Sequence, residues 1–547
     1  MSIGHWNTKE GILDILLRLV RVPSVTGTRG ELRMEEEIVS ILMELPYYQQ
    51  HPEYIFKKAI KHDVLERKAV ACLYKGNNEA NRTIILLSHY DVVGVEDFGR
   101  LTSLAFSPID YTRALEREEL PEDAKEDLQS GEWIFGRGIM DMKAGLAAQM
   151  ALISEVCQKE DLGYNLLLLA TPDEERYSAG MFAGVELLDE IRSQYGLNYE
   201  LTICSEPSFG AYPGDRSKYF YTGSVGKMLP LIYCIGTETH VGEPLEGLNA
   251  AWMASVYAER AELATVFLEQ AQGERNPLPT TLKLTDLKES YDVQTPTSAY
   301  ILLNILTLLQ TPEEVMGKLK KIGQDSSEYI GERLEKTYQA LGYEDGVSAR
   351  KIVKPQVYTY WELYEKGLKE HGSAFRQAIE EHVKKLEQDL GANMGKLTAA
   401  IAGVISSYFK SLAPFYLIML SPPYYPHVYL KDGERDERAR AVVAGCIDKA
   451  KKDYNEEIGI ISYFPGLSDV SYFRLRDRDK VAKVLEKEMP LYGEGYDIPL
   501  ELIAGLDVPT VNIGPYGKDA HKRTERLHIP FSTEVLPALL KHAVYMY

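Results

Sequence analysis

Hydrophobic residues recur at helical spacing over residues 8–20, where Ile12, Leu13, Ile15, Leu16, Leu19 and Val20 share a face. The turn Val22-Pro23-Ser24-Val25-Thr26-Gly27 stops that helix, and a second is predicted over 30–45. Apolar runs without strict alternation predict strands over 69–74, 83–88, 165–170 and 200–204, with helices over 143–158 and 180–193. Strands apolar on both faces and separated by helices imply a sheet covered on both sides. From about Gly226 the pattern changes. A strand over 229–235, a helix over 249–272 and strands over 281–287 and 299–304 predict a smaller α+β unit. Residues 324–413 read as mostly helical, dominated by Glu, Lys, Ala and Leu, with no repeat and no sustained heptad. A strand over 415–420, a helix over 435–454 and α/β character through 508–513 restore the first pattern. The expected class is α/β, with a mixed, mostly parallel sheet between helices and an inserted α+β unit. The boundaries read from the pattern are 1–223, an insertion over 224–430 with its helical segment at about 324–413, and 431–547.

Composition narrows the partners. The 547 residues allow for roughly three to four domain-sized units, and 45% hydrophobic residues argue against disorder. Acidic residues outnumber basic ones 81 to 61, and a formal charge of −20 disfavours nucleic acid or an anionic membrane as the main partner. Cys72, Cys157, Cys204, Cys234 and Cys446 are odd in number and scattered, which suits a reducing cytoplasm rather than a disulfide framework. The opening Met1-Ser2-Ile3-Gly4-His5-Trp6 lacks the basic-then-apolar pattern of a signal peptide. Residues 397–430 carry Lys410 as their one formal charge, but Pro414, Pro422, Pro423 and Pro426 interrupt them. They read as a buried helix followed by a buried strand, with no membrane span.

Five segments place polar groups at strand ends or in adjoining loops. His89 and Asp91 end a buried strand and share a face; a carboxylate there can hold the imidazole in one tautomer for a metal. Asp141 closes the glycine-rich run Gly136-Arg137-Gly138-Ile139-Met140-Asp141 just before a helix, where an N-cap is the plainer reading. Asp173-Glu174-Glu175 follow four leucines, and a solvated acidic turn would explain them alone. Glu206 and His521 each follow an apolar strand. Together the picture is different. In a doubly wound sheet these strand ends lie along one edge. Two histidines and three carboxylates suit two zinc-type ions sharing one carboxylate, and a further acid beside them is what a hydrolase needs as a base.

The chain at this point resembles the co-catalytic zinc hydrolases that include succinyl-diaminopimelate desuccinylase, acetylornithine deacetylase, glutamate carboxypeptidases and aminoacylases. The likeness rests on residues 19–25, His89-x-Asp91, Gly136 to Lys143, residues 173–175, Ser205-Glu206-Pro207, His521-x-x-Thr524-Glu525, the run from His240 to Ala250, and Gly466-Leu467-Ser468-Asp469. The resemblance implies a zinc-peptidase-like fold in which residues 1–223 and 431–547 form a catalytic domain and 224–430 a lid. It implies that His89, Asp141 and Glu206 hold one metal, and Asp141, Glu175 and His521 the other. Asp91 would support His89, Glu174 would be the general base on a metal-bridging water, and His240 would reach from the lid toward the oxyanion. Glutamate at position 206 favours a deacylase or carboxypeptidase over an aminopeptidase. The segment from Ser88 to Gly99, with the overall length, is most similar to the bacterial arginine-utilisation proteins of this family.

The implied cofactors are two divalent ions, zinc first, with manganese or cobalt as alternatives. The implied partner is a small N-acyl amino acid or short peptide, with a homodimer through the lid as one arrangement. The competing reading is a non-catalytic metal- or ligand-binding protein that kept the fold. The departures are a lid about twice the usual length and Gly242 where a serine is often found.

Overall fold

The computed structural model describes residues 6–76, 81–158, 162–212, 214–342, 353–390 and 393–547. The chain divides into two compact units, one of Met1–Val225, Pro426–Arg476 and Ile498–Tyr547, the other of Gly226–Tyr425 and Asp477–Asp497. The strands of the two main sheets begin with β1 (Ile55–Ala59), β2 (Lys68–Tyr74), β3 (Arg82–His89), β4 (Asn165–Thr171), β5 (Asn198–Cys204) and β6 (Lys218–Tyr221). The middle of the chain adds β7 (Gly226–Ile235), β8 (Thr280–Asp286), β9 (Ser298–Thr307), β10 (Gln356–Thr359) and β11 (Phe415–Tyr425). After them come β12 (Ile458–Ile461) and β13 (Thr510–Asn512). The helices used below are α1 (Lys9–Arg21), α2 (Gly30–Leu42), α3 (Lys143–Gln158), α4 (Ala179–Tyr195), α5 (Ala250–Ala261), α6 (Pro312–Ala340), α7 (Tyr360–His371), α8 (Ser373–Leu390), α9 (Met394–Tyr408), α10 (Glu434–Tyr454), α11 (Arg478–Glu488) and α12 (Leu536–Met546).

In the first unit eight strands form one mixed sheet in the order β1-β2-β4-β3-β5-β13-β6-β12. The four central strands β4, β3, β5 and β13 run parallel, and β1 and β2 turn antiparallel at one edge. Side chains alternate along each strand. Ile84, Leu86, Leu166 and Leu168 join a core with α1, α3 and α12, while Leu169 meets α4 on the other face beside Gly184. Helices therefore cover both faces, as the unalternated apolar runs predict. Helix α3 is buried on nearly every side from Lys143 to Ile153, which is why its pattern is apolar all round. The register His89↔Thr171 and Leu87↔Cys204 brings the carboxyl ends of β3, β4 and β5 level.

In the second unit a five-stranded sheet runs β8-β9-β7-β11-β10. Tyr416 bonds the Met253 carbonyl of α5 on one face, and Tyr233 meets α9 at Gly403 on the other. Strand β11 is buried at every residue. Among the described residues no helix is long and apolar enough to cross a membrane.

The structure differs from the pattern in three places. The helix expected over 249–272 ends at Ala261. Leu263 then takes a left-handed backbone, and a tight hairpin turns at Gln272-Gly273, both at positive φ. The helical segment expected from about 324 begins at Pro312, behind a Thr311–Glu314 capping box. It is also broken by β10, which pairs with β11 in parallel; residues 343–352 and 391–392 of it lie outside the described residues. Residues 477–497, which the pattern places with the returning part of the chain, cluster with the second unit.

Candidate metal centre

The level strand ends of the first unit bring together seven of the eight side chains singled out in the sequence. His89 is the last residue of β3. Residues 173–175 lie in the turn after β4, Glu206 follows β5, Asp141 precedes α3, and His521 lies in the loop after β13. His89 Nε2 is 3.2 Å from Asp141 Oδ1 and 3.7 Å from Glu206 Oε1. On the other side of Asp141, His521 Nε2 is 3.2 Å from Oδ2 and 3.1 Å from Glu175 Oε1. Ligand atoms of His89, Asp141 and Glu206 lie within 4.8 Å of one another, and so do those of Asp141, Glu175 and His521. Asp141 thus turns one oxygen to each histidine. Its carboxylate serves the cluster rather than only capping α3.

Electrostatics test whether divalent ions fit. With the protein's own charges alone, burial opposes a charged ring at His89. The carboxylates of Glu206 and Asp141 outweigh it and raise the ring well above the usual histidine range. At His521 burial is again outweighed, by Asp141 and Glu175, and its pKa rises to about 11. Burial drives Glu174 and Glu206 well above the usual carboxylate range. Buried acids with a buried imidazole at His89 and a half-exposed one at His521, drawing protons this strongly, make a set that divalent ions satisfy in their place. The donor chemistry, nitrogen and carboxylate oxygen around a shared aspartate, fits two zinc-type ions.

Around this cluster the loops are fixed by groups that sequence reading mostly passed over. His89 Nδ1 is 3.1 Å from the Asp91 carbonyl oxygen and 3.4 Å from its Oδ1. A proton donated there leaves Nε2 free to ligate. The Asp91 carboxylate also accepts the N–H groups of Glu174 (3.1 Å) and Glu175 (3.2 Å). The Asp173 N–H goes to Glu31 at 3.0 Å, and Arg67 Nη1 bonds both Asp173 (2.7 Å) and Glu31 (3.0 Å). Three successive N–H groups of the acidic turn therefore end on buried carboxylates, with Arg67 beside them. Thr171 donates to Asp469, whose carboxyl burial pushes up to about 7. Arg137 joins Glu525 at 2.8 Å, tying the Asp141 loop to the segment that follows His521. Arg137 and Glu525 lie inside quoted motifs; Arg67 and Glu31 have no motif, and nothing in the sequence marked them.

His240, the eighth residue, belongs to the second unit. It is exposed, and its Nδ1 accepts the Gly242 N–H at 3.0 Å.

Comparison with known proteins shows the family and the fold. The protein YqjN of Bacillus subtilis (strain 168) is 37% identical over 99% of this chain and 97% of its own. Protein RocB of the same organism is 32% identical over 99% of this chain and 95% of its own. An M20 family metallo-carboxypeptidase from Sulfolobus solfataricus shares the fold, with a TM-score of 0.54 at 13% identity over 98% of this chain and 99% of that one. Residues 85–485 match the description of peptidase family M20/M25/M40. The chain belongs to that family, and it is a metallohydrolase of amide bonds.

Proposed function

We propose that the protein hydrolyses an N-acyl amino acid, or the C-terminal amide bond of a short peptide, with Glu174 as the group that moves the proton. His89, Asp141 and Glu206 would hold one divalent ion, and Asp141, Glu175 and His521 a second, zinc being the first choice for nitrogen and carboxylate donors. Such ions, when bound, lower the pKa of water and polarise a carbonyl oxygen.

The observation that carries the reading is Glu174. It is left over from the two ligand triads, yet its Oε2 lies 3.9 Å from His89 Nε2 and its ligand-type oxygen groups with His89 and Glu175. Its backbone is fixed by Asp91. Buried at the edge of the cluster, Glu174 could take a proton from the attacking water and return it to the leaving nitrogen. His240 would supply a donor to the developing oxyanion. The likeness to the arginine-utilisation proteins supports a substrate from arginine or related amino-acid breakdown. The five cysteines are free, which suits a reducing cytoplasm.

The test is amine release from a panel of N-acylated arginine, ornithine and glutamate and of dipeptides, with zinc, manganese or cobalt supplied. Glu174→Gln should lower kcat by about 10²–10⁴-fold, the usual worth of acid–base catalysis, while metal content stays at that of the wild type. Unchanged turnover in Glu174→Gln would remove the glutamate from the reaction. Metal uptake without turnover on the whole panel would favour the binding-protein reading.

A further inference from the structure

Helix α3, which follows Asp141, also reaches the two strands that carry His89 and Glu206. Gly145 and Gln149 stand one turn apart on it and meet the same strand end. A Cβ at Gly145 would lie 2.2 Å from the Ser205 carbonyl oxygen, so the glycine lets the helix close onto β5. One turn later Gln149 is completely buried. Its Nε2 donates to the carbonyl oxygens of Leu87 at 3.0 Å and Ile203 at 3.3 Å and to Ser205 Oγ at 2.9 Å. Its Oε1 accepts from Ser88 Oγ at 2.9 Å.

These partners lie where the backbone stops holding β3 and β5 together. The β3–β5 register ends at Leu87↔Cys204, followed by one long bond from the Ser205 N–H to Leu87 at 3.4 Å. His89 and Glu206 come just beyond. Among the mostly apolar buried positions of this helix, Leu or Met would fill the same volume. Instead a glutamine has both ends of its amide bonded across the gap.

We infer that Gln149 is a positioning residue for one ion of the pair. By stitching β3 to β5 at the end of their ladder it sets the spacing at which His89 Nε2 and Glu206 Oε1, 3.7 Å apart, face a single ion. It does not serve the Glu175–His521 side. This inference rests on the ligand assignment proposed above.

Zinc uptake by the stripped full-length chain, followed by titration calorimetry and repeated with cobalt absorbance, tests it. Wild type should take up two ions and His521→Ala one. Gln149→Leu should weaken one ion by about 10–100-fold and leave the other within about threefold, as for outer groups that orient ligands. In the His521→Ala background the loss should fall on the remaining ion, with its cobalt spectrum altered. Ser205→Ala, which removes one of the stitching bonds, should produce a smaller loss at the same ion, and it decides the matter if Gln149→Leu does not fold. Equal weakening of both ions, or of neither, in the folded variant overturns the inference. Two ions in wild type with no effect of His521→Ala would overturn the ligand assignment instead.

Discussion

Arg67 is about nine-tenths buried and faces three carboxylates, those of Asp63, Glu31 and Asp173. Burial, reinforced by Asp91, pushes Glu31 up to about 8 even with the guanidinium beside it. Arg67→Met would leave Glu31 and Asp173 buried without their cation. Unfolding by denaturant should show a loss that grows as pH rises above about 8, toward about 3–5 kcal/mol, and that is smaller at pH 6, where Glu31 holds its proton with or without the guanidinium. By contrast Lys9→Ala, which breaks a half-exposed pair with Glu534, should change stability by no more than about 0.5 kcal/mol. An equal cost for the two would deny Arg67 its role. Single residues divide sharply in how far the sequence reveals them. His89 and Glu206 stand out because histidines and carboxylates at apolar strand ends are chemically conspicuous, whereas Asp141 draws notice only in their company. Arg67, in Glu66-Arg67-Lys68, has the composition of a surface turn, and only the fold turns it inward.

At the scale of elements, the type of an element was legible where its apolar run was long. Residues 165–170 could only be a covered strand, and β4 is buried from Asn165 to Thr171. Short or half-exposed strands were not: β1 and β10 are too open to alternate, and the Gln272-Gly273 turn hid inside a helical period. Helix α11 shows a further limit. No pattern in the sequence marked it, and its neighbours are α6, α7 and β11. Glu488 at its end accepts the Trp361 N–H of α7, and burial pushes its carboxyl up to about 7. Folded protein therefore binds more protons than unfolded chain between about pH 4.5 and 7, so this group lowers stability as pH rises through that window. Glu488→Gln should remove that slope. Melting at pH 8 should find the variant more stable by roughly 2 kcal/mol, allowing for partial exposure, and at pH 4 no difference. A wild-type slope kept in the variant would place its origin elsewhere.

At the scale of the molecule, the proposed ligands come from residues 89, 141, 175, 206 and 521, so two ions would bind together distant parts of the first unit. Stripping them with a chelator should lower the calorimetric melting temperature, and zinc should restore it. The expected gain is about 2.7 kcal/mol for an ion at a hundred times its Kd. An unmoved melting temperature would mean that the folded chain holds no such ions. The two units are also spliced together rather than strung in line. The polypeptide passes between them at 225–226, 425–426, 476–477 and 497–498. Neither half is an uninterrupted stretch of the gene product, so neither can be cut out with a single pair of ends. A shortened chain lacking only 226–425 would still carry α11, whose Val481 and Leu485 are buried in the intact protein, and would expose them to water. Isolating the first unit alone means removing two stretches, and the second of them is the one that looks dispensable on paper.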